Sequence, residues 1–184
     1  MPVRALRTIG DPLLRSRAAD VERAFLHTPG FVELVTDLVD TMRAEGGIGI
    51  AAPQIGESLR MAVIEIDASS SRYPDMQAFS RTLFVNPIVT VIDETEQGYW
   101  EGCLSVPGLR GYVARPRAVR VDYVDASGGA RSLEAEGFLA TVLQHELDHL
   151  DGVLFVDRVR DTTRLATVEN YAKFWARQEG TPEI

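Results

Sequence analysis

Residues 137–152 read GFLATVLQHELDHLDG, and this stretch decides the fold. Phe138, Leu139, Val142, Leu143, Leu147 and Leu150 recur at helical spacing, and Gly152 suits a left-handed helix stop. His145 and His149 lie four positions apart, about 40° around a helix of 3.6 residues per turn, so both imidazoles can reach one metal ion. Glu146 stands beside them, where a carboxylate can take a proton from water and return it to a leaving group. Chance histidines on a solvated helix face would give the same spacing, but the chain has 3 histidines and places two of them here. The third, His27, falls in the loop before another helix and reads as structural.

Upstream, Phe31, Leu34, Val35, Leu38, Val39 and Met42 form a second helical stripe, with Thr28 as N-cap, Pro29 as first helical residue and Gly46-Gly47 as the stop. Residues 60–66 and 82–92 read as strands, with Pro87 marking an edge or bulge. Residues 118–124 and 132–135 read as a hairpin around the turn Asp125-Ala126-Ser127-Gly128-Gly129. Past Gly152 the pattern predicts a short strand over 153–156. Asp161 then caps a terminal helix carrying Leu165, Val168, Tyr171, Ala172 and Trp175 on one side. The expected fold is α+β: antiparallel sheets around the central HExxH helix, with an N-terminal amphipathic helix and a C-terminal helix.

A chain of 184 residues fits one catalytic domain over 1–184, and the stretch 69–75 is too short to be a linker. With 45% hydrophobic and 25% charged residues, no uncharged apolar run approaches the ~18 residues of a membrane span, so no membrane role is expected. A formal charge of −8 and a pI near 4.9 oppose nucleic-acid specificity. Arg4, Arg7 and Asp11 break up any signal-peptide core, and Asp20 and Glu22 argue against a transit peptide. The expected location is cytoplasmic, which suits a single cysteine.

A catalytic metal site needs a third protein ligand, and no histidine follows His149. The cysteine, Cys103, sits in Glu101-Gly102-Cys103-Leu104-Ser105-Val106-Pro107-Gly108, a Gly- and Pro-punctuated stretch that reads as a loop. By itself such a cysteine is as well read as a small buried hydrophobe. Gly47-Ile48-Gly49-Ile50-Ala51-Ala52-Pro53-Gln54 is a small-residue loop that lets backbone approach a ligand. Gln54 offers a neutral amide that can stabilise a developing oxyanion.

Taken in order, residues 47–54, 101–105 and 145–149 match GxGxAAxQ, EGCLS and HExxH, and together they resemble the peptide deformylase family. The similarity runs on through Arg110, the hairpin and residues 148–155. The resemblance implies removal of the formyl group from formyl-methionyl nascent polypeptides, with release of formate. It implies Cys103, His145 and His149 as ligands of one divalent ion, Fe²⁺ favoured, with Zn²⁺ or Ni²⁺ able to replace it. Glu146 would act as general base and then acid, and the Gln54 amide with the Leu104 backbone N–H would form the oxyanion hole. The peptide would lie as a strand along Ile48 and Gly49, with Phe138, Val142 and Ile48 lining a slot for methionine. Glu45 and Glu101 are the two candidate charge partners of Arg110.

Some deformylases touch the ribosome transiently through a C-terminal helix. Here Arg164, Lys173 and Arg177 face Glu169, Glu179 and Glu183, so no basic surface stands out. The rival readings are an HExxH metallopeptidase, opposed by the missing downstream histidine, and a noncatalytic metal-binding homologue, opposed by intact Glu146 and Gln54.

Overall fold

The apolar stripe from Phe31 to Met42 forms α1 (Pro29–Ala44), opened by Pro29 and by the Thr28 side chain accepting the Phe31 N–H. Its buried face, Phe31, Leu34, Leu38, Val39 and Met42, packs with Ile50, Met61, Val63 and Val85 of the sheet. The computed structural model describes residues 3–67 and 78–176. The expected loop at 69–75 and the charged residues Arg177, Glu179 and Glu183 lie outside them.

Six strands form an antiparallel sheet: β1 (Gly49–Ala51), β2 (Met61–Ile66), β3 (Phe79–Cys103), β4 (Val106–Val124), β5 (Ala130–Glu136) and β6 (Leu165–Thr167). The order is β1-β2-β3-β4-β5, with β6 on the early part of β4. β3 pairs with β2 near its start and with β4 along most of its length, interrupted by register shifts. One shift falls between Val85 and Ile88, at Asn86-Pro87, as Pro87 predicts. There Asn86 takes a positive φ of 48° and its side-chain amide bonds the Val21 N–H and C=O.

α2 (Gly137–Asp148) crosses behind the sheet and packs against β1 to β5. Ala140, Val142, Leu143 and Leu147 are buried with Ile64, Phe84, Val119 and Val121, so the HExxH helix lies in the main core. A 3-10 turn, His149–Asp151, continues it to Gly152 at φ 73°. A Cβ at Gly152 would lie 2.6 Å from the Arg15 carbonyl carbon, so both conformation and space call for glycine.

Three expectations are corrected. The predicted strand 82–92 and the loop holding Cys103 are parts of one strand, β3, which ends at Cys103. Gly98, a breaker in the sequence, is a close-approach point where a Cβ would meet the Tyr112 hydroxyl oxygen of β4. Residues 153–156 are not a strand: a 3-10 turn, Phe155–Arg158, buries Leu154 and Phe155 against Val106 and Val113, and Asp157 accepts the Leu154 N–H at 2.8 Å. Asp161 caps only the 3-10 turn Thr162–Arg164. β6 intervenes before α3 (Val168–Phe174), which Thr167 caps by accepting the Asn170 N–H.

The N-terminal segment is tied to distant parts of the chain. The Arg4 N–H donates to Thr41 Oγ, Arg7 to the Gln54 carbonyl at 2.8 Å, Ile9 to the Ser105 carbonyl at 2.7 Å and Ala18 to the Leu150 carbonyl at 2.9 Å.

Candidate active site

Four segments converge behind one cleft of about 310 Å³. α2 brings His145 and Glu146, the following 3-10 turn brings His149, the end of β3 brings Cys103, and a 3-10 turn after β1 (Ala52–Ile55) brings Gln54. One ligand atom from each of Cys103, His145 and His149 lies within 4.8 Å of the other two. Cys103 Sγ and His149 Nε2 are 3.3 Å apart. A tetrahedral ion with bonds of about 2.3 Å to sulfur and 2.0–2.1 Å to nitrogen would separate such atoms by about 3.6 Å, so the donor set and its spacing fit a metal.

His145 is oriented from behind. Its Nδ1 lies 2.8 Å from Glu101 Oε2, and Glu101 is gripped by Arg115 through Nε at 2.6 Å and Nη2 at 2.9 Å. Arg115 Nη1 also reaches Asp148 at 2.8 Å. Burial would raise the Glu101 pKa, but the Arg115 charge and hydrogen bonds, and then the bond with His145, hold it down at about 2. The ionised carboxylate thus accepts the Nδ1 proton and leaves His145 Nε2 as the remaining donor for a metal. Burial is the first cause that holds His149 well below the ordinary imidazole range, and the Arg115 charge acts in the same direction, which keeps it in the neutral form a ligand requires.

Glu146 is buried, and burial pushes its pKa up to about 7. Glu146 Oε2 has no hydrogen-bond partner among the described residues. The carboxyl lies against the β1 backbone: a Cβ at Gly49 would come within 2.5 Å of its Cγ, Cδ and Oε1. Gln54 is fixed by the Ala51 N–H donating to its Oε1 at 2.7 Å. Its Nε2 donates to Ser105 Oγ at 3.2 Å and to Cys103 Sγ at 3.6 Å. The carboxyl and the amide therefore flank the metal-type donors, a geometry suited to moving a proton and stabilising an oxyanion.

Ile48, Gly49, Gln54, Cys103, Leu104, Arg110, His145 and Glu146 all line the cleft. Phe138 and Val142 do not; they pack in the apolar cluster that also contains Ile48, with Val142 fully buried and Phe138 half-buried. Glu101 stands behind the cleft wall, paired with Arg115 rather than Arg110. The Arg110 guanidinium lies over Gly102, where a Cβ would be 1.9 Å from Nη1, and Glu45 lines the same cleft. His27 ends a 3-10 turn away from this cluster.

Arg115, Ser105 and Asp148 were not anticipated. Arg115 carried a readable signal: Gly111, Val113 and Arg115 share the inward phase of β4, and a charge on that phase needs a buried partner. Tyr99, edge-on to Phe138 at 5.8 Å, gives no comparable signal.

A sulfur and two imidazoles converging beside a buried carboxyl poised near neutrality define a metal-dependent hydrolase. Comparison with known proteins narrows the class. The polypeptide deformylase family matches residues 3–165. Peptide deformylase 1 of Bordetella pertussis is 45% identical over 168 residues, covering 91% of this chain and 93% of that protein. The peptide deformylase of Leptospira biflexa is 42% identical over 162 residues, covering 88% and 90%. Among solved structures, the class I type b peptide deformylase from Acinetobacter baumannii with Met-Ala-Ser bound superposes with TM-score 0.82 at 35% identity, covering 86% of this chain and 99% of that one. The Synechococcus elongatus peptide deformylase in complex with actinonin gives 0.77 at 35% identity, covering 89% and 82%. The chain belongs to the polypeptide deformylase family.

Proposed function

We propose that this chain, acting as one catalytic domain, hydrolyses the N-terminal formyl group of formyl-methionyl nascent polypeptides and releases formate. The observation that carries the reading is the placement of Glu146: a buried carboxyl beside the Cys103, His145 and His149 cluster, with the β1 backbone directly against it. β1 is the terminal strand of the sheet, so an extended peptide can add along Ile48 and Gly49 and be read through its main chain. Ile48, with Phe138 and Val142 behind it, supplies the apolar surroundings for the methionine side chain.

Cys103, His145 and His149 would hold one divalent ion, Fe²⁺ in preference, whose Lewis acidity would activate water and polarise the formyl carbonyl. Glu146 takes the proton from the attacking water and returns it to the peptide nitrogen as the C–N bond breaks. The Gln54 amide and the Leu104 backbone N–H donate to the carbonyl oxygen as it gains negative charge. Arg115 and Glu101 act through His145 by fixing its ring. The substrate is met in the cytoplasm, transiently, as it leaves the ribosome. The test is formate release from formyl-Met-Ala-Ser by metal-loaded protein; absence of formate, with cleavage of an internal peptide bond in its place, would support the metallopeptidase reading.

A further inference from the structure

Among the described residues, one that lines the cleft lies beyond the family match, which ends at residue 165: Val168, the first residue of α3. We infer that Val168 is the outer wall of the substrate cleft and selects apolar side chains in the residues that follow formyl-methionine. The inference rests on the deformylase reading of the site and extends it.

Three observations lead there. First, β6 pairs with β4 as Leu109↔Thr167 and Arg110↔Ala166, and the residues that flank the end of this pairing, Val168 and Gly108, line the same cleft. Second, Val168 is 40% exposed although apolar, on a rim that also carries the exposed Pro107. Third, the segment is held from behind by aromatic contacts. The Arg164 guanidinium lies 3.3 Å from the Tyr112 ring centroid, and the Tyr171 and Trp175 rings lie tilted against Trp100 at 5.0 and 5.1 Å. A β-branched side chain on so anchored a segment presents a stiff apolar surface with little rotamer freedom.

Cys103, His145 and Glu146 of the catalytic cluster and Pro107, Gly108 and Val168 of the rim line one and the same cleft. With the formyl group at the cluster, an extended peptide advances about 3.3 Å per residue toward the rim, which places the second and third residues opposite Val168. Partial burial of one aliphatic side chain there gives about a five- to tenfold preference.

The test compares kcat/KM in two peptide series, formyl-Met-X-Ala and formyl-Met-Ala-X, with X either Leu or Ser. Wild-type protein is expected to favour Leu by about five- to tenfold in at least one series, mainly through KM. Val168→Asp should bring that ratio to about one, Val168→Thr to an intermediate value, and Val168→Ile should retain it. Because the readout is a ratio on the same enzyme, a loss of folded protein common to both peptides cancels. Formate release with a Leu/Ser ratio identical in wild type, Val168→Asp and Val168→Thr would overturn the wall, while leaving the deformylase reading intact. Absence of formate from every peptide would overturn that reading itself and the wall with it.

Discussion

Replacing Arg115 with methionine isolates the charge behind the metal-type cluster. Arg115 is 1% exposed and makes a two-point contact with a Glu101 that is fully buried. Methionine fills much of the same space but leaves the Glu101 carboxylate with His145 as its remaining polar contact. Two routes give the size of the effect. Glu101 is held at about 2 against an ordinary 4.5, which at 1.36 kcal/mol per pH unit corresponds to about 3 kcal/mol. Removing one member of a buried ion pair costs about 3–5 kcal/mol. For a chain of this length each kcal/mol moves Tm by about 2–4 °C, so Arg115→Met should melt roughly 6–20 °C below wild type at pH 7. The sign with pH follows from the depressed pKa. In the wild type the Glu101 contribution is fully present above its unfolded value of 4.5 and is lost as pH falls toward 2. In the mutant, burial is no longer opposed by Arg115, so the carboxyl protonates at higher pH and the gap between the two proteins narrows as pH falls from that raised value toward 2. Calorimetry at pH 7 and at pH 3.5, with metal content measured in parallel, reads both numbers. A mutant within about 2 °C of wild type at pH 7, or an equal gap at the two pH values, would refute an electrostatic role for Arg115.

Glu146→Gln should retain metal but lose at least ~10²-fold in kcat, and a near-normal kcat would remove Glu146 as the proton carrier. Gly49→Ala places a methyl group within 2.5 Å of the Glu146 carboxyl, so turnover should fall by about tenfold or more with little change in metal content; unchanged kinetics would show that the carboxyl moves aside without penalty. Formyl-Met peptides should be turned over well ahead of formyl-Gly peptides, since burying a methionine side chain contributes about 1.5–3 kcal/mol; equal kcat/KM values would leave no role for the Ile48 pocket. The Fe²⁺ form should lose activity in air and the Zn²⁺ form should not, because an open iron site beside the Cys103 sulfur is readily oxidised. Equal stability of both forms over a formate-release time course would argue against iron as the native ion.

Much of this was legible in the residues because the signals were periodic or scarce. The α1 and α2 stripes, the Thr28 cap, the Asp125–Gly129 turn and the Gly152 stop all rest on local chemistry, and each stands where its pattern places it. The path of β3 was not legible, because Gly98 and the acidic run Asp93-Glu94-Thr95-Glu96 carry loop composition while their order comes from pairing with β4. The C-terminal region misled for a related reason. Leu165 and Val168 fit one helical stripe, but β4 pairing draws Leu165–Thr167 into a strand first. At the site, spacing and rarity point to His145 and His149, whereas Cys103 enters as a candidate ligand through the family resemblance, and the structure brings all three together. The Arg115–Glu101–His145 relay joins residues 14 and 44 positions apart, which no local window contains.

The hydrogen bonds of the N-terminal segment have a consequence in time. Arg7, Ile9 and Ala18 are synthesised well before their acceptors, the carbonyls of Gln54, Ser105 and Leu150. At about 5–20 residues per second, Leu150 follows Ala18 off the ribosome on the order of ten seconds later. Until then the Ala18 N–H lacks its acceptor and the turn that carries His149 is incomplete. Such distant pairings also close slowly once the chain is free. A chain that has not yet been made as far as Leu150 therefore has no working cleft.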